Sequence, residues 1–175
     1  MVPIDTLTCE DTIDINLPGY MEHGYVKAVK TCRDWLASGE ASTIGINKNH
    51  LGISGTTFFP YVSGKDTFYL WAESISFFVP KKTGVYPVKF GGNFLNDAAT
   101  SGFIYLIDDT IIASWDTDTT NTSNVVEITE LDLVNKRVKG KFEVAYTIDT
   151  TGLDYHRYPA RLHFYNGEFD VEITD

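Results

Sequence analysis

Positive charge is scarce in this chain. Over 175 residues, 14 Lys and Arg stand against 24 Asp and Glu, a formal net charge of −10. Phosphate backbones are held by clustered cations that release counterions, so nucleic acid and anionic membrane surfaces are excluded as expected partners. The densest basic group is Lys136, Arg137, Lys139 and Lys141. Lys139 and Lys141 alternate with apolar neighbours, the pattern of a solvated strand face. Cysteine is also rare: Cys9 and Cys32 cannot build a disulfide scaffold or a four-ligand zinc site. Two readings of the pair stay open, a bond tying the N-terminal tail to the first regular element in an exported protein, or two buried free thiols. No apolar run approaches the roughly 18 residues of a membrane span. Met1 to Pro18 lacks the basic start and apolar run of a signal peptide.

Catalytic patterns are missing as well. His23, His50, His156 and His163 do not fall at metal-ligand spacing. Neither a Gly-x-Ser-x-Gly elbow nor a phosphate-binding glycine loop occurs. Acidic pairs such as Asp108-Asp109 read as turns, and the carboxylate separation that decides a glycosidase cannot be taken from them. Asp116-Thr117-Asp118-Thr119-Thr120-Asn121 places oxygens at alternate positions, but without the glycine and closing glutamate of a calcium loop it reads as a solvated polar loop. Asn121-Thr122-Ser123 fits a glycosylation acceptor, relevant only in a eukaryotic secretory pathway. The expectation is a protein without enzymatic activity, cofactor or metal.

Long Ala/Leu/Glu/Lys helical runs are absent too, whereas aromatics abound, with 11 Phe, 10 Tyr and 3 Trp. Such residues favour pleated, half-buried surfaces. The clearest stretch runs from Val125 to Tyr146. Val126 and Ile128 face one way there, and beyond a polar turn Val138, Gly140, Phe142, Val144 and Tyr146 share a face. A period of two marks strands with one wet and one dry side. Asp132 and Asn135 supply the turn, Asp by bonding its own downstream backbone and Asn by tolerating a left-handed conformation.

The same alternation spaces short strands along most of the chain. Ser42–Ile46 and Leu51–Ser54 flank a polar loop, Phe68–Ala72 and Ile75–Val79 follow, and Val85–Phe90 carries Pro87, which marks an edge or a bulge. Phe103–Asp108 and Ile111–Trp115 form a hairpin, and Arg161–Tyr165 and Phe169–Ile173 surround Asn166-Gly167, a strong hairpin signal. In that last pair Leu162 and Phe164 share a side with Phe169, Val171 and Ile173. Tyr25 to Ser38 supports two readings. Tyr25, Val29, Cys32 and Leu36 fit one short helix ended by Ser38-Gly39, while Tyr25–Lys30 and Trp35–Ala37 fit strands around a turn. The expected architecture is all-β, an antiparallel β-sandwich or flattened barrel of roughly ten to twelve short strands. Residues 1–20 read as an acidic tail or edge strand, and residues 21–175 as a single β domain.

Three segments carry a resemblance: Thr83-Gly84-Val85-Tyr86-Pro87-Val88, the turn-bearing run from Ile128 to Phe142, and Asn166-Gly167-Glu168-Phe169-Asp170-Val171. With Ala28, Trp35 and Ala37, they are similar to the uncharacterised β-rich domains of exported Bacteroidota-type lipoproteins. The resemblance spans about two-thirds of the chain and rests on structural positions, so it brings no catalytic residue. It implies an all-β fold and a cell-envelope or extracellular location, with the lipid-bearing cysteine upstream of Met1.

Two constellations suggest recognition. Along Phe68–Ala72, with Phe68, Leu70 and Ala72 in the core, Tyr69, Trp71 and Glu73 would display two aromatics beside a carboxylate, which suits sugar rings or a protein partner. The bland alternative buries both faces. Tyr155, His156, Arg157 and Tyr158 gather aromatic and cationic groups in a loop, which alternatively only packs over the barrel end. The reading is a non-enzymatic, exported or surface-associated binding or assembly module for a glycan or protein partner. A β-barrel carrier of a small apolar ligand and, third, a hydrolase are the alternatives.

Overall fold

A computed structural model describes residues 21–45, 48–91, 96–107, 109–151 and 155–174. Among the described residues there are ten strands and one 3-10 turn. In chain order they are β1 (Gly24–Lys30), β2 (Arg33–Ile44), β3 (His50–Ser63), β4 (Asp66–Pro80), β5 (Gly84–Lys89), β6 (Ala99–Ile107), β7 (Thr110–Thr117), β8 (Val125–Asp132), β9 (Arg137–Ile148) and β10 (Arg161–Glu172). The expected acidic tail and Cys9 lie outside the described residues.

The strands form one all-β sheet that closes on itself. β1, β2, β3, β4, β6, β7, β9 and β10 follow one another around a complete circuit, and β10 pairs back onto β1. β5 and β8 fill the wedge between β6 and β9 where β7 does not reach. All pairings between named strands are antiparallel except the short β5–β6 contact, at Val88 and Lys89. Pro87 sits just before that contact, where its missing N–H removes no ladder bond. Curvature is sharp at β2. It brings β1 against β3, where a Cβ on Gly55 would lie 2.7 Å from Val26 Cβ, so only glycine fits.

The hairpin of β8 and β9 is the hub, as its alternation suggests. Val126, Ile128, Val138, Phe142, Val144 and Tyr146 are buried, and β9 pairs with β10 on one edge and with β8 and β7 on the other. Asp132 Oδ1 accepts from the amides of Val134 and Asn135 at 3.0 and 2.9 Å. The left-handed residue is Lys136 (φ 52°) rather than the expected Asn135. The basic cluster on β9 is a paired, solvated face, with Arg137 to Asp170 and Lys139 to Glu130 at 2.5 and 2.9 Å.

One of the two readings of Tyr25–Ser38 holds, the strands around a turn, and two expectations are corrected. No helix forms between Tyr25 and Ser38. Val26, Ala28 and Lys30 on β1, then Trp35, Ala37 and Ala41 on β2, are buried on a period of two, and this inward alternation overrides the helical spacing. Asn166-Gly167 makes no hairpin. β10 is paired along both edges, to β1 and β9, so the chain must run on, and the extra residue becomes a bulge with Asn166 left-handed at φ 51°. That bulge shifts the buried positions from Leu162 and Phe164 to Phe169, Val171 and Ile173, keeping all five inward. Finally, Phe68–Ala72 and Ile75–Val79 are one strand, β4, broken only by a bulge.

Aromatic rings in mutual contact fill the middle of the barrel. Phe164 meets Trp35, Phe103 and Tyr146 at centroid distances of 5.4, 5.1 and 5.8 Å, and Phe77 meets Phe142 at 4.8 Å. Tyr146 is fully buried with its hydroxyl on Ser101 Oγ at 2.5 Å, and burial raises its pKa.

Candidate functional site

The β4 bulge organises one end of the molecule. Thr57 on β3 stands opposite two residues of β4, Ala72 and Glu73, between the pairs Thr56–Ser74 and Phe58–Trp71. The Glu73 amide, displaced from the ladder, donates to Thr57 Oγ1 at 3.1 Å. An extra residue reverses which side chains point inward. On the barrel side of the bulge Glu73, Ile75, Phe77 and Val79 are buried, whereas on the other side Trp71 and Tyr69 are exposed.

The expected surface of Tyr69, Trp71 and Glu73 is therefore split. Glu73 is buried, with 3% of its surface exposed. It receives the Lys30 ammonium on one carboxylate oxygen and Trp35 Nε1–H, at 2.7 Å, on the other. Lys30 Nζ also lies 5.7 Å from the centre of the Phe103 ring. Two buried opposite charges with further hydrogen-bond and ring partners satisfy the condition under which such a pair is tolerated in an interior.

Beyond the bulge, β3 and β4 leave the barrel. β2 stops pairing with β3 at Thr56, and β6 stops pairing with β4 at Glu73. Among the described residues, the backbones of Phe58–Ser63 and Asp66–Trp71 are in register only with each other, and these six cross-strand pairs form a projecting arm. One of its faces carries Phe58, Pro60, Val62, Tyr69 and Trp71, and the other Phe59, Tyr61, Phe68 and Leu70. Phe68 was expected in the core with Leu70 and Ala72. Only Ala72 is buried, and Phe68 is 51% exposed, because the β2 and β6 pairings end before the strand reaches it. Tyr61, Val62, Tyr69 and Trp71 are likewise exposed. A two-stranded hairpin alone is marginal in water, and exposed apolar side chains grouped in this way make the arm a candidate interaction surface.

The second expected group lies at the same end. Tyr155–Arg157 is a 3-10 turn in the connection from β9 to β10, and that connection shares its end of the barrel with the arm and the β1–β2 turn. Tyr155, His156 and Arg157 are exposed. Tyr158 packs inward instead, with its ring 5.6 Å from Tyr105 and 6.1 Å from Trp115, and Trp115 Nε1 donates to Pro159 O at 2.8 Å. Tyr158 is thus a plug for the barrel end. Tyr105, the register partner of Glu73, has its pKa raised first by burial and then by Tyr158 and Glu73. Ile107 and Ile111 add exposed apolar surface on the neighbouring β6–β7 turn.

A groove of about 150 Å³ runs from the base of the arm across the outer face of β2 and β3. Phe58 and Trp71 line one part, and Ser38, Ser54, Thr56 and Glu40 another. His23, also at the groove, is 3.2 Å from Glu172. A second groove, of about 290 Å³, is lined in part by Phe78, Phe90 and Asp116. The Asp116 carboxyl is raised by burial and secondarily by Asp149. Asp149 itself is lowered, chiefly by the Thr151 amide.

Cys32, in the β1–β2 turn at the arm's end of the barrel, is held in a disulfide. Among the described residues no group of His, Cys, Asp and Glu is arranged to hold a metal ion, and no helix is long and apolar enough to cross a membrane. Asp118, from the polar loop, has its Oδ1 engaged by the Thr120 amide and hydroxyl at 2.9 and 2.6 Å.

Comparison with protein-family models, curated proteins and solved structures gave no match. The geometry therefore stands alone. Sequence reading missed Lys30, Thr57, Glu40 and the Phe58–Val62 half of the arm. Two signals were available: Lys30 continues the inward series of Val26 and Ala28, and Phe58-Phe59-Pro60-Tyr61-Val62 is apolar without alternation, unlike the one-sided strands around it.

Proposed function

We propose that this protein is a non-enzymatic, exported or surface-associated binding module, and that the aromatic arm is its recognition element. The observation that carries this reading is the exposure of Tyr61, Phe68, Tyr69 and Trp71 on the two faces of a hairpin that extends past the ends of the β2 and β6 pairings. Aromatic anchors concentrate binding energy because they bring large rigid area with little entropy to lose. The partner is a glycan or a protein, and the low basic content argues against nucleic acid. Export is supported by the disulfide at Cys32, since such bonds persist in oxidising compartments. The ring-filled interior favours surface recognition over a carrier of small apolar ligands.

The test compares the wild-type chain with Tyr61→Ser/Phe68→Ser on arrays of glycans and of envelope proteins. These side chains lie far along the arm and are about half exposed, so folding should be unaffected. Loss of a wild-type binding partner by the double variant supports the arm; an unchanged binding profile refutes it.

A further inference from the structure

We infer that the groove at the base of the arm is a binding site for one neutral pyranose ring of a glycan. The inference rests on the recognition role proposed for the arm and specifies what its inner end takes.

A pyranose presents two chemistries at once, a flat patch of C–H groups and a rim of hydroxyls. The groove offers a counterpart to each. Trp71, 53% exposed and opposite Phe58 on the outward face, supplies a planar apolar wall. An aromatic ring presented this way covers the C–H patch. The adjoining floor is made of small hydroxyl residues. Ser38 pairs with Thr56, and Glu40 pairs with Ser54. With Gly39 between Ser38 and Glu40, the small residues of these two neighbouring strands leave a shallow trough beside the tryptophan.

The floor also has unmet acceptor capacity. Glu40 is exposed, and its carboxylate has no hydrogen-bond or ion-pair partner among the described residues. A carboxylate accepts only, and sugar hydroxyls donate. Ser38 and Ser54 add hydroxyls that either give or accept. An apolar peptide would leave these groups desolvated and unpaired, at a cost. Glu40, Glu172 beside His23 and the net charge of −10 all disfavour an anionic sugar. The volume suits one ring, being well below the roughly 300 Å³ at which pockets enclosing drug-sized ligands begin.

The test is a titration of the ¹⁵N-labelled full chain with methyl glycosides of glucose, galactose and mannose. At least one sugar is expected to shift the Trp71 indole together with the amides of Gly39, Glu40 and Ser54. Trp71→Ala should weaken that binding about tenfold or more, and Glu40→Gln about threefold or more, the loss of a charged acceptor. Glu40 is a surface residue, so its variant remains informative were Trp71→Ala to disturb the arm. No shift with any of the sugars, or shifts that persist unchanged in both variants, overturns the inference. The Tyr61→Ser/Phe68→Ser variant separates it from the wider reading. Partner binding lost there without any sugar response leaves the arm standing and removes only the sugar site. A sugar response with no effect of the double variant does the reverse.

Discussion

The barrel and its arm are built from the same kinds of residue and differ in what covers them. Trp35 in the barrel is 3% exposed, edge-on to Phe164, with its N–H on Glu73, whereas Trp71 in the arm is 53% exposed. The two are separated by one bulge. Inside it, every strand has neighbours on both sides and a filled interior; outside it, among the described residues, the two strands have no further strand paired to them. Aromatic content in a β protein thus has two opposite uses, and the third dimension assigns them. One buries area to hold the fold, and the other leaves area exposed at the surface.

The sharpest way to break this contrast is the ion pair at the boundary. Glu73→Leu would leave the Lys30 ammonium buried without its partner, and about 3–5 kcal/mol of stability should go. Lys30→Met/Glu73→Leu together should recover most of it, since two apolar groups of similar volume replace the pair. Urea unfolding of the four proteins in the cycle measures both numbers. A cost below about 1 kcal/mol for the single variant would mean that water reaches the pair.

Next comes the direct comparison of two phenylalanines. Phe164→Ala removes a ring from the filled centre and should cost about 3–5 kcal/mol. Phe68→Ala makes the same chemical change on the arm and should stay within about 0.5 kcal/mol. Equal losses in thermal or urea melts would show that the arm is part of the core.

Hydrogen exchange sharpens the comparison without mutation. Amides of Tyr61, Val62, Thr67 and Phe68 should exchange through local opening, at free energies well below those of Phe77, Phe142 and Val144. Matching protection would require a cover on the arm, such as a second molecule.

The smallest effect is a pH dependence. The Asp132 carboxyl sits below its ordinary pKa, chiefly because the Asn135 amide donates to it, and Glu168 does so chiefly through Lys27. Both groups stabilise the fold fully above the unfolded carboxylate pKa, and that stability is lost as pH falls through the depressed folded value. Asp116, raised by burial, works in the opposite sense. Asp132→Asn should therefore lower stability slightly at neutral pH and have no effect in acid, as read from melts across that window.

Much of the barrel was legible before folding was considered. The inward residues of β8 and β9 follow from alternation alone, because a strand with one dry face must alternate. Ala28, Trp35 and Ala37 were visible as a pattern, and all three prove to be inward residues. Two of the failures share one cause. At Ala72-Glu73 and at Asn166-Gly167 an inserted residue changes which parity points inward, and a local reading carries the old parity through or ends the strand there. The first error placed Glu73 beside Trp71 on the surface; the second cut β10 in two.

By itself, then, the order of residues determined that this chain is all-β, which faces of its strands are apolar, and where most turns fall, since these depend on neighbours one or two positions apart. It could not say that Phe58–Trp71 would stand outside the barrel while Lys30 and Glu73 met within it. Those outcomes depend on where β2 and β6 stop pairing and on strands separated by 43 residues coming together, and contacts at such distance leave no local period to read.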